Sequence, residues 1–369
     1  MIRLRRGTIV AIEPERPGAV DLVVDLDGER VAAIAYPSLT GPVRVGDDVI
    51  LNTTAVVLGL GTGGAHLVVA ARARDSIDVE GPGHVMKARY TPLQTAVQTV
   101  EETHRDVLEA SAGLAGTPVV AAPLHSMVAP IAAGAKAAGA KGIAYVMTDG
   151  ACLPGAFSRL VPRLRAAGLL DGWITAGQAF GGELESVTLW TGLLAAVEVL
   201  HAEIVIVADG PGNLGTETTW GVSALSSGHA VDAAERLDGR PVAALRVSFA
   251  DPRERHRGVS HHSITILGRV CLVPANVAVP SLGDDGERAT VWGALRAARL
   301  EERHTLIEVD GRPALDELDR SGVRPDTMGR SPADDPAFFL AAGAAGVLAG
   351  RMAVGGRAWR PRPERSPHI

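Results

Sequence analysis

The chain has 369 residues, too many for one small core, and its 46% apolar content is ample for two globular units. With 36 basic against 42 acidic residues the formal charge is −6, and no basic stripe with interleaved aromatics marks a nucleic-acid platform. Aromatics make up only 4% while Ala, Gly and Val abound, so cores of small aliphatic side chains and close helix-on-sheet contacts are expected.

Taken in order, residues 1–78 alternate apolar and polar positions over 8–12, 19–26, 30–36, 48–58 and 66–71, joined by turn dipeptides such as Asp27-Gly28 and Gly46-Asp47. That pattern predicts a small antiparallel, barrel-like β domain. The glycine-rich stretch 58–64 lies inside this unit with a strand following, which reads as a sharp corner rather than a phosphate loop. Residues 79–354 change character. Apolar, β-branched runs at 118–122, 142–147, 172–175, 203–208, 241–247 and 304–309 alternate with helical patterns at 91–112, 127–138, 155–167, 185–201, 218–237, 289–300, 314–321 and 336–352. Strands without alternation, separated by helices, predict a doubly wound, mostly parallel, Rossmann-like α/β sheet covered on both faces. Residues 263–273 would add a further strand, and Trp190 and Trp220 fall on expected helices as core residues. The tail 355–369 lacks apolar periodicity and is expected to be disordered.

Cys152 and Cys271 form no CxxC pair, and no apolar leader follows the first residues, which together favour a reducing, cytoplasmic setting. The apolar run 338–350 is short for a bilayer and is expected as a buried helix, so no membrane partner is indicated. Nothing in the chain fixes its oligomeric state, and a homo-oligomer is compatible with it.

In open parallel sheets the ligand crevice lies beyond the carboxyl ends of the strands. Five strand ends in succession carry chemistry: His125 with Ser126; Asp149 before Cys152; Gln178 to Glu183; Asp209 to Thr216; and the stretch 253–263 beyond Asp251. The loop holding Gly210, Gly212, Asn213, Gly215 and Thr216 has the backbone freedom to wrap an anion, or equally to form a turn and helix cap. Arg253 to Ser263 gathers His256, His261 and His262 among Arg253, Arg255 and Arg257. Two chemistries are open there. Either His256 and one of His261 or His262 join Asp149 or Asp209 to hold a divalent metal bearing an activated water, or Arg255 and Arg257 clamp an anion while a histidine acts as acid or base. A solvated loop with a capping histidine is the bland alternative. The spacing of five between His256 and His261 is not that of a helical metal pair, and His261 and His262 would diverge on a strand.

The segments Asp209-Gly-Pro-Gly-Asn-Leu-Gly-Thr216, Arg255-His-Arg-Gly-Val-Ser-His-His262 and Thr327-Met-Gly-Arg-Ser-Pro-Ala-Asp-Asp-Pro-Ala-Phe-Phe339 resemble an uncharacterised family of bacterial proteins, mostly from Gram-positive lineages, described as a domain of unknown function. The resemblance implies coverage of nearly the whole chain and brings no established activity. Locally, His256-Arg-Gly-Val-Ser-His261 is similar to a His-Arg-Gly-x-Ser/Thr-His pattern of membrane-bound metal-dependent hydrolases, which implies comparable site chemistry in a chain expected to lack their membrane helices. The function expected is therefore a hydrolase or group transferase, metal-assisted or not, for a small anionic or phosphorylated metabolite. Its catalytic groups would be His256, His261, Asp209 and Asp149. Arg255, Arg257, Gly210, Gly212, Asn213, Gly215, Thr216, His125, Gln178 and Glu183 would surround the substrate. A non-catalytic nucleotide or metabolite sensor, or a scaffold, is the competing expectation.

Overall fold

A computed structural model of the chain describes residues 2–14, 16–71, 76, 78, 79 and 81–355. Part of the expected junction near residue 78 and the expected disordered tail, apart from Gly355, lie outside the described residues. Strands β1 (Leu4–Ile12), β2 (Val20–Leu26), β3 (Glu29–Ala35), β4 (Asp48–Asn52) and β5 (His66–Ala71) close into a barrel in the order β1-β2-β3-β5-β4. Its interior follows from the two-residue period: Leu22 and Val24 of β2 and Val49 and Leu51 of β4 are buried, with their neighbours turned outward. Asp27 and Gly28 both take positive φ, the conformation a tight hairpin between β2 and β3 demands. The expected all-antiparallel pairing is corrected at one place, since β3 and β5 run parallel where Ala33 faces His66. The strand expected over 48–58 ends at Asn52 and gives way to the helical turn Thr54–Val57.

Beyond the barrel, β6 (Val85–Lys87) and β7 (Thr95–Val97) form a hairpin where a helix over 91–112 is expected; helix begins only at Val100, behind a capping box of Thr99 and Glu102. Lys87 ties this hairpin to the large sheet. Its buried ammonium donates to the carbonyls of Gly177, Ala179 and Ser186 at 2.8, 3.0 and 3.0 Å, with Glu185 3.4 Å away.

The main layer contains β8 (Pro118–Ala121), β9 (Ile143–Thr148), β10 (Gly172–Ala176), β11 (Leu184–Ser186), β12 (Ile204–Asp209) and β13 (Arg240–Ala244). After the short strands β14 (Val247–Ser248) and β15 (Gly258–Val259) come β16 (Asn276–Pro280) and β17 (Thr305–Val309). Eight of these form one sheet in the order β11-β10-β9-β12-β8-β13-β16-β17, parallel throughout. Separate apolar cores lie on its two faces. Helices Leu189–Glu198, Ser226–Arg236 and Asp285–Ala297 supply one, and Val128–Ala137, Leu160–Ala166, Arg312–Ser321 and Pro336–Gly355 the other. The sheet is therefore Rossmann-like and doubly wound.

Two sequence expectations fail in this layer for the same reason, that short apolar runs do not distinguish helix from strand. Residues 263–273 are not a strand: helix His261–Thr265 runs into a π-helical turn, Ile266–Val270, while the unanticipated strand β16 follows at Asn276. Helices expected from 155, 185 and 218 begin at Leu160, Leu189 and Ser226, because short 3-10 turns or β11 occupy the first residues. Trp190 and Trp220 are exposed rather than core residues, the latter with Arg269 stacked 5.9 Å from its ring.

The last helix, Pro336–Gly355, is 20 residues and long and apolar enough to cross a bilayer, longer than the expected 338–350 run. In this fold 72% of its apolar window is buried. It lies against Val128–Ala137 at very short range: a Cβ on Gly346 would sit 1.9 Å from the Ile131 carbonyl oxygen, and one on Gly134 2.4 Å from that of Gly343.

Candidate functional site

The direction of the sheet's connections reverses around β8. From β8 the chain crosses to β9 and moves outward, returns to insert β12 beside β8, and then leaves on the other side through β13, β16 and β17. A crevice is expected at the carboxyl ends of strands around such a reversal. A cleft of about 700 Å³ lies there. Residues 123–126 after β8, 211–215 after β12, and Arg246, Arg253, Arg255, His256 and His262 after β13 form its floor and walls. Residues 157–160 with Arg163, the segment 324–328, and Gly61 of the barrel complete it.

The histidine loop is a closed structure. Val247 pairs with Val259 and Ser248 with Gly258 across a two-rung antiparallel neck, and Gly258 takes φ +71°, a conformation that favours glycine. Inside the loop, buried Asp251 is gripped by Arg253 through two hydrogen bonds of 2.9 and 2.8 Å and by Arg246 at 2.8 Å. Burial pushes this carboxyl up, yet the hydrogen bonds and charge of Arg253 and Arg246 hold it well below the usual carboxylate range. Asp335 extends the network, accepting from Ser248 Oγ at 2.7 Å and from Arg330 at 3.1 Å. Arg255 pairs with the exposed Glu217 at 3.0 Å while its buried Nε has no partner.

Ser260 caps the helix His261–Thr265 and organises the imidazoles. Its Oγ accepts from the His262 N–H at 3.3 Å and lies 2.8 Å from His256 Nδ1. With Nδ1 of His256 donating to that oxygen, Nε2 keeps its lone pair. The ring centroids lie 5.2 Å apart for His256 and His261, 5.0 Å for His256 and His262, and 4.0 Å for His261 and His262. His256 and His262 are 1% and 8% exposed, and the Nε2 atoms of His261 and His262 are buried without a hydrogen-bond partner. Burial, reinforced by the nearby arginines, depresses all three pKa values, His256 to about 3 and His262 to about 4, so the cluster is neutral.

Other expected residues stand differently. His125 lines the cleft, with Nδ1 3.1 Å from the Tyr145 hydroxyl and Nε2 2.8 Å from Ser158 Oγ. Gly212, Asn213 and Gly215 also line it. Asp209, expected as a catalytic group or ligand, is corrected to a loop-holding role. It is buried, its oxygens accept from Thr148, Gly150, Asn213 and Ser226, and it is outside the cleft lining and the histidine cluster. Gly210 packs against Met147 and the Cys152 carbonyl, and Thr216 closes a turn with Thr218 and Gly221 ahead of the 3-10 turn Ser223–Leu225, so this loop presents no helix N-terminus to the cleft. Asp149, Gln178 and Glu183 lie outside the lining: Asp149 accepts from the Gln178 N–H at 2.7 Å and Glu183 pairs with Arg165 at 2.7 Å. Arg257 is exposed and also outside it. Burial pushes the Cys152 thiol up to about 12, an unreactive setting.

Sequence reading missed Arg246, Arg159, Arg163 and Arg324, which reach the cleft from separate elements with no shared spacing. Six arginines line the cleft (159, 163, 246, 253, 255 and 324) against two carboxylates, Glu217 and Asp326. An electropositive pocket with neutral imidazoles in its wall can hold an anion, accept or deliver a proton beside it, or ligate a metal.

Fold and site together define a two-part α/β protein, a small closed barrel joined to a Rossmann-like sheet that carries an arginine-lined cleft at its strand ends. The chain belongs to the family described as protein of unknown function (DUF3866), whose model matches residues 32–346. A search of the curated proteins gives no match.

Proposed function

We propose that the chain is a cytoplasmic enzyme that hydrolyses, or transfers a group from, a small anionic or phosphorylated metabolite in this cleft. The observation that carries the reading is the shared wall in which the neutral imidazoles of His256 and His262 stand beside Arg246, Arg253 and Arg255. Guanidiniums orient an anion and stabilise charge developing on it, and a neutral imidazole has one lone pair with which to activate water or a hydroxyl, either by taking its proton or by holding a metal that polarises it. Asp251 fixes Arg246 and Arg253, so the anion-binding face is set before substrate arrives.

The test is incubation of the purified chain with phosphomonoesters, acyl phosphates and carboxylate esters, with products identified by mass spectrometry. His256→Gln is expected to abolish turnover. Arg255→Gln is expected to raise KM about tenfold with little change in kcat, the loss of one charge-assisted contact of about 1.4 kcal/mol. Both variants should melt within a few degrees of the parent. A compound that binds and is recovered unchanged would overturn the enzymatic reading in favour of a sensor.

A further inference from the structure

We propose that His256, His261 and His262 form the binding site of one divalent transition metal of the zinc class, opening onto the cleft. The inference builds on the reading of this cleft as the working site. Ligand atoms of the three imidazoles all lie within 4.8 Å of one another. Bonds of about 2.0–2.1 Å to a tetrahedral ion would draw nitrogens to about 3.4 Å, within reach of small side-chain rotations.

Two observations point to a ligand rather than to a packed aromatic cluster. Among the described residues, the Nε2 atoms of His261 and His262 are closed to solvent and have no hydrogen-bond partner. A buried polar atom left so is destabilising, and coordination would remove that cost. The second is the support of His256: Nδ1 lies 2.8 Å from Ser260 Oγ, and with Nδ1–H donating to that oxygen the Nε2 lone pair is free to ligate, the outer-shell arrangement that fixes a metal-binding imidazole. Because Ser260 also caps the helix that carries His261 and His262, one side chain sets the geometry of all three rings.

The donor set chooses the ion. Three imidazoles with no carboxylate or thiolate suit zinc, cobalt, nickel or copper and not magnesium or calcium. Neutral ligands leave the ion its full double charge. Asp251 offsets only part of the charge of Arg246 and Arg253, and Glu217 offsets that of Arg255, so the net positive charge left beside the ion would be complemented by an anion in the cleft. His256 and His262 line the cleft, so an anion bound there would lie beside both the ion and the guanidiniums. Metal and anion should therefore tighten each other's binding by the same factor.

The experiment uses the full chain, stripped with a chelator and dialysed. Calorimetry with Zn2+, and the visible spectrum after Co2+ addition, are expected to show one ion per chain in a four-coordinate environment, tighter when inorganic phosphate is present. His261→Ala, at a partly exposed position, should weaken Zn2+ binding about 100-fold or more, and Ser260→Ala about 10–100-fold. Circular dichroism of both metal-free variants confirms that they are folded. Absence of Zn2+ binding, or equal binding by parent and His261→Ala, overturns the site and marks any bound ion as adventitious. Tight binding without turnover of any ester would overturn the enzymatic reading alone. No Zn2+ binding together with full turnover by the stripped protein in excess chelator would overturn the metal site and leave the enzymatic reading standing.

Discussion

At the scale of single residues, buried His125 shows how a histidine at a strand end becomes part of the wall. Ser158 Oγ accepts from the N–H groups of Leu160 and Val161, so its own proton goes to His125 Nε2, and the ring proton sits on Nδ1 facing Tyr145. Burial pushes the His125 pKa down to about 4, below its value of about 6.5 in an unfolded chain. A depressed histidine stabilises the fold fully above about pH 6.5, and that contribution is lost as pH falls toward about 4, because the unfolded chain takes up the proton first. The urea midpoint should therefore drop between pH 7.5 and 5, and His125→Asn should make that drop shallower; identical pH slopes for parent and variant would contradict the assignment. Asp209 teaches the complementary lesson. Its position at a strand end was legible, but the sequence could not say that Asn213 of its own loop and donors from two other segments, Thr148 with Gly150 and Ser226, would consume both its oxygens.

At the scale of elements, the decisive change is the one from expected strand to helix after Ser260. On a strand, adjacent His261 and His262 would point to opposite faces. On the first turn of a capped helix they stand about 100° apart, and both rings meet His256. A similar dependence on close approach governs the last helix. Gly346 has no room for a side chain against the Ile131 carbonyl, so Gly346→Ala must push Pro336–Gly355 away from Val128–Ala137 and should cost about 2–3 kcal/mol. A denaturation midpoint unchanged from the parent would show that the helix pair yields without cost. The apolar pattern of both helices was readable from sequence, whereas the need for glycine at that position depends on which helix faces it.

At the scale of the whole molecule, barrel and sheet meet through a small apolar cluster in which Ile34, Tyr36 and Ala65 cover Ala156 and Phe157. Arg159 reinforces it by an ion pair to Asp21 at 3.1 Å, and Phe157 also lines the cleft. Ala156→Asp would bury an unpaired carboxylate there and should lower stability by about 3 kcal/mol, with an altered response of the cleft to anions. Melting and anion binding equal to the parent would separate the barrel from the site.

The two kinds of layer were legible in the amino-acid pattern, because a period of two and unbroken β-branched runs bury different numbers of faces. The pattern also determined that His256, His261, His262, Arg255 and the 210–215 loop lie at strand ends. Which ends meet depends on strand order. Strand order puts β8, β12 and β13 side by side, gathering His125, Gly212, Asn213, Gly215 and the histidine loop, while Asp149 and the Gln178–Glu183 segment lie outside the cleft on the connections of β9 and β10. The physical reason is that local pattern fixes how a segment presents its side chains, whereas adjacency in a parallel sheet is set by long-range pairing and by packing on both faces, which local periodicity does not record.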